Sequence, residues 1–88
     1  MFRLWVREWK DNHMIRDTVI EDGSDDTRTH KILHCLEEAC KELDLSVPVW
    51  LDTNIEDFKR SSMTRFREDS FIDGIPFDHL EVRVIEDV

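Results

Sequence analysis

Residues 2–21 read FRLWVREWKDNHMIRDTVIE, and this stretch decides the fold. Phe2, Leu4 and Val6 alternate with Arg3, Trp5 and Arg7, the period of a strand with two different faces. Met14, Ile15, Thr18, Val19 and Ile20 supply a second, mostly β-branched arm. The turn falls at Asp11-Asn12-His13, so the segment is a β-hairpin. Charge decides its register. A two-residue loop at Asp11-Asn12 sets Arg7 opposite Arg16, which is unfavourable. A three-residue loop pairs Arg3 with Glu21, Arg7 with Asp17 and Glu8 with Arg16, and also Leu4 with Ile20, Trp5 with Val19 and Trp9 with Ile15. That register is predicted. One face then carries Phe2, Leu4, Val6, Thr18 and Ile20. The other carries Trp5, Trp9, Ile15 and Val19, edged by the ion pairs Arg3/Glu21 and Arg7/Asp17.

Working outward, residues 22–26 form an acidic loop that suits the positive end of a helix. The spacing of Ile32, Leu33, Leu36, Cys40 and Leu43 predicts a helix over 26–44 with those residues as its buried stripe. Pro48 ends any continuation, and Val47–Leu51, with Trp50, reads as extended. Thr53 and Glu56 form a capping box, which predicts a second helix over 54–62. In residues 64–77, Phe66, Phe71, Ile75 and Phe77 read as core plugs on loops or short strands, with a turn at 72–75. Leu80, Val82 and Val84 alternate with Glu81 and Arg83, a half-buried strand. The class is α+β: an N-terminal hairpin, one long helix, one short helix and a C-terminal strand forming a small, mostly antiparallel sheet packed on helices. Eighty-eight residues make a single domain, 1–88, that buries about 64% of its unfolded surface.

Twenty-one acids against 12 bases give a net charge of −9, which repels phosphate backbones at long range. The two halves, 1–44 and 45–88, carry −4 and −5, so there is no acidic tail. No apolar run reaches the ~18–20 residues of a membrane span, and residues 1–10 lack the continuous apolar core of a signal peptide. Cys35 and Cys40, five apart on the predicted helix, are too far apart to bridge. Free thiols without a secretion signal predict a reducing, cytoplasmic location.

Chemistry-bearing patterns are few. His30 and His34 stand four apart on the long helix, a spacing that can serve a metal, but no HExxH or paired CxxC accompanies them. Gly23 and Gly74 are isolated, with no phosphate loop and no GxSxG. No cofactor, metal or catalytic constellation is expected, and the protein is read as a non-enzyme. Two surfaces remain as candidates. Lys59, Arg60, Arg65 and Arg67 fall within nine residues of an otherwise acidic chain, interleaved with Phe58 and Phe66. That pattern suits phosphate or single-stranded RNA, with Phe66 stacking on a base. The other is the hairpin face of Trp5, Trp9, Ile15 and Val19, which is a protein-binding patch if no helix covers it.

Trp50-Leu51, Asn54, Asp57-Phe58, Phe66, Phe71 and the closing Phe77-Asp78-His79-Leu80-Glu81-Val82 resemble short uncharacterised acidic proteins of Gram-positive anaerobic bacteria. The resemblance implies a size class and an origin, and no activity. Size and acidity are also similar to those of phage-encoded inhibitors of host defence, which implies a nucleic-acid-binding host protein as target. The sequence is therefore read as a small acidic cytoplasmic protein that acts by binding another protein. Weak RNA or phosphate binding through 59–67 is the alternative. The sequence leaves the oligomeric state open.

Overall fold

The computed structural model describes residues 1–87. Strands β1 (Phe2–Lys10) and β2 (His13–Asp22) form the hairpin; α1 (Arg28–Glu42) and α2 (Asp52–Ser61) follow; then come β3 (Met63–Phe66) and β4 (His79–Asp87). All strand pairs are antiparallel, in the order β2-β1-β4-β3. The fold is α+β, with both helices packed on the sheet.

The hairpin adopts the predicted register from Arg3↔Glu21 to Glu8↔Arg16, but by a different device. The turn is the two-residue loop Asp11-Asn12, both left-handed at φ 51° and 64°. This is the pattern that matches the twist of paired strands. A bulge between Glu8 and Trp9 then absorbs one residue. Trp9 faces Met14, not Ile15, and Ile15 is the extra residue of the bulge. Charge argued correctly against Arg7 facing Arg16. The chain avoids that pairing with a bulge instead of a longer loop.

Thr27 caps α1, its Oγ1 accepting from the His30 N–H at 3.2 Å. The helix buries Ile32, Cys35, Leu36, Ala39 and Cys40. Leu33, predicted in the stripe, is exposed, and the buried arc extends instead on the opposite flank, to Cys35 and Ala39. Both thiols are free and buried. At the C-terminal end of α1, Arg16 of β2 donates to the carbonyl of Leu43 at 2.8 Å while holding Glu8 with two nitrogens. A buried carboxylate, a guanidinium and a helix end are thereby joined.

The second helix starts earlier than the Thr53/Glu56 box predicted. Leu51 is its N-cap, and the Asn54 side chain accepts the Leu51 N–H at 3.0 Å. The Asn54 amide donates onward to Thr64 Oγ1 and to the carbonyl of Arg65, at 2.9 and 3.0 Å. Asn54 is buried, so a polar clamp fixes α2 to the edge strand β3. Phe66 leads into a single 3-10 turn, Glu68–Ser70. Phe66, Phe71 and Phe77 join Phe2, Leu4, Val6, Leu36, Leu80 and Val82 in one core, with Ile75 packed at its margin.

Candidate functional site

The registers decide which side chains share a face. Leu4, Val6 and Glu8 line up with Val84, Val82 and Leu80, and these with Thr64 and Phe66. That side is the core and carries both helices. Trp5, Arg7 and Trp9 stand opposite Arg83, Glu81 and His79, and Arg83 and Glu81 face Met63 and Arg65. Among the described residues no helix lies on this second face. It is built from tryptophan, arginine and glutamate in alternating rows.

Its centre is Arg7. The guanidinium lies 4.0 Å from the Trp5 ring centroid and 5.3 Å from that of Trp9. Cation–π contact on two rings is combined with an ion pair to Glu81. Glu81 is only 4% exposed and also meets Arg83 Nε at 3.5 Å. Its charge is therefore shielded by two guanidiniums. The sequence pairing Arg7/Asp17 is corrected here: the two are cross-strand neighbours, yet Asp17 Oδ2 accepts the Trp5 indole N–H at 2.8 Å and Arg7 turns to β4. Arg3 does meet Glu21, at 3.3 Å. The centre of the face is held in place, because Trp5, Arg7, Glu81 and Arg83 each have a partner.

Of the hairpin residues singled out, Trp5, Trp9 and Val19 belong to this face. Trp5 and Trp9 are half-buried, and Val19 is exposed. Ile15 is exposed at the bulge.

The basic segment does not act as one patch. Phe66 is 0% exposed and packs edge-on against Trp50 at 4.9 Å, so it cannot stack on a base. Its position opposite Leu80 on β3 points it into the core. Lys59 lies beside an apolar groove of about 350 Å³ between the helices, lined by Leu33, Trp50, Ile55 and Phe58. Arg60 pairs with Asp57 at 2.8 Å. Arg65 and Arg67 go elsewhere, to the open face. With Trp9, Asn12, Asp78 and His79 they line a cleft of about 390 Å³. Neither guanidinium makes a hydrogen bond or ion pair among the described residues.

The two candidate surfaces therefore meet at one corner of the sheet, which strand order alone could have revealed. His79 is the residue that sequence reasoning missed. Its ring lies nearly parallel to that of Trp9, 19° apart with centroids at 6.4 Å. Burial, then the charges of Arg65 and Arg67, hold its pKa below the usual histidine value. Across Arg65 and Arg67 lies a second polar cleft of about 290 Å³, touching Asn54, Thr64 and Ser70.

Elsewhere the chemistry is sparse. His30 pairs with Asp26 at 2.9 Å. Among the described residues no cluster of three or more His, Cys, Asp or Glu side chains is placed to hold a metal ion. Also among them, no helix is long and apolar enough to cross a membrane. Compared with protein-family models, curated proteins and solved structures, the chain matches none.

Proposed function

We propose that the protein is a non-catalytic binding protein whose working surface is the open face of the sheet, and that it binds another protein. The observation that carries this reading is the Trp5–Arg7–Trp9 stack on a face without a helix. Tryptophan and arginine are the residues that most often dominate binding energy at protein interfaces. Here both types are already held in place, so docking costs little side-chain entropy. Charge supports the same surface. Arg3, Arg7, Arg65, Arg67 and Arg83 face Asp17, Glu21, Asp78, Glu81 and Glu86, so the region is close to neutral on a chain of net −9. A partner with a mildly acidic, partly apolar patch fits it, while the acidic remainder rejects other orientations.

The test is a pull-down that compares wild type with Trp5→Ala on the open face and Leu33→Ala on the helical side. A partner kept by wild type and Leu33→Ala, lost by Trp5→Ala, and retained in high salt supports the reading. A partner lost only with Leu33→Ala moves the working surface to the groove between the helices.

A further inference from the structure

The cleft at the corner of the open face has properties that a flat protein interface does not need. Two guanidiniums, Arg65 and Arg67, border it with no carboxylate bound to either. The Trp9 Nε1 is buried and has no acceptor among the described residues. Its two acids are both engaged: Asp78 accepts the Asp11 N–H at 2.9 Å, and Glu81 is held by Arg7 and Arg83. The lining itself holds two guanidiniums and two carboxylates, and Arg7 and Arg83 neutralise Glu81 from outside it. One wall is the parallel pair of Trp9 and His79. A volume of about 390 Å³ lies at the small end of ligand sites.

We propose that this cleft binds a nucleoside monophosphate, with Arg65 and Arg67 holding the phosphate and the Trp9–His79 wall taking the base. Paired guanidiniums suit a phosphate because their N–H groups match its oxygens two at a time. A ring wall suits a base because stacking needs only a flat face. The net charge of −9 selects size: one phosphate meets the local arginines, whereas a long strand runs into the acidic remainder. This replaces Phe66, Lys59 and Arg60, which the fold directs elsewhere, with Trp9 and His79. It does not require the protein partner of the preceding section, and either can fail alone.

The experiment is a titration of 15N-labelled protein at low salt, followed at the indole N–H signals of the three tryptophans. Adenosine monophosphate, adenosine, inorganic phosphate and O-phosphotyrosine are the probes, and Trp9→Phe assigns the Trp9 signal. Adenosine monophosphate is expected to shift the Trp9 signal and leave Trp50 in place, binding at least tenfold more tightly than adenosine or phosphate. Arg65→Gln with Arg67→Gln should abolish the shift; both side chains are exposed and unpaired, so the fold survives. Ser70→Ala, in the neighbouring cleft, should leave it unchanged. Several results overturn the proposal: no shift at a ligand concentration of ~1 mM, equal binding of phosphate alone, tighter binding of O-phosphotyrosine, persistence in the double variant, or loss on Ser70→Ala.

Discussion

Glu8 places a carboxylate on the core side of β1, 1% exposed, and Arg16 meets it at 3.0 and 2.8 Å. Removing one partner of a buried pair leaves the other desolvated and alone. Arg16→Ala should therefore cost about 3 kcal/mol, at the low end because Arg16 itself is half-exposed. Glu8→Gln keeps the shape and a hydrogen bond and should cost about 1 kcal/mol. Urea unfolding of both variants checks the order, and equal losses would show that the charge of Glu8 is not what Arg16 answers. His79 gives a pH dependence. Its folded pKa lies below the ordinary 6.5, so the unfolded chain takes the proton first as pH falls. Stability then declines as pH drops below about 6.5, until the folded state also protonates. Unfolding curves between pH 7.5 and 5 should show this slope, and His79→Gln should flatten it.

At the scale of elements, the hairpin turn holds two residues in the left-handed region, where Asn is tolerated and Ala is not. Asn12→Ala should cost about 1–2 kcal/mol, while Asn12→Gly should be neutral or stabilising. Thermal unfolding distinguishes the two, and an inert Asn12→Ala would mean that the turn relaxes to another type. The same hairpin shows what the sequence makes legible and what it hides. Cross-strand charge fixed the register because like charges facing each other are penalised wherever the loop lies. The bulge was hidden because the two-residue turn and the bulge cancel in the count between Glu8 and Arg16. Leu33 falls outside the core because a helix packed on a sheet buries one arc, whose edge periodicity gives only to within one residue. For Phe66 the sequence leaves loop and short strand both open, because the four residues of β3, with two arginines at or just beyond its outward positions, carry too little pattern. The candidate site was half legible: its residues were named, but their meeting depends on β3 pairing with β4, which no local signal announces.

At the scale of the whole molecule, the two thiols report on opening of the core. Burial pushes both Cys35 and Cys40 up to about 11, with the charges of Asp22 and Glu38 adding to the effect at Cys35. Reaction with a thiol reagent at pH 8 should be slow in the native protein. It should accelerate in step with the unfolded fraction as urea is added. A thiol that reacts fast without urea would mean that α1 opens locally, apart from the sheet.

The strand order also governs how the protein comes off the ribosome. β1 needs β4 as its second neighbour, and 56 residues separate Asp22 from His79. At about 5–20 residues per second, the finished hairpin waits roughly 3–11 s with one edge of β1 bare. Until α1 has followed, Phe2, Leu4 and Val6 have β2 beside them but no helix over them, and throughout the interval β4 is missing from the other edge of β1. The nascent chain is then a sticky ribbon, and holding factors that shield such ribbons would protect it most in that interval. A slower ribosome lengthens the exposure, so codon choice between the hairpin and His79 becomes a determinant of yield.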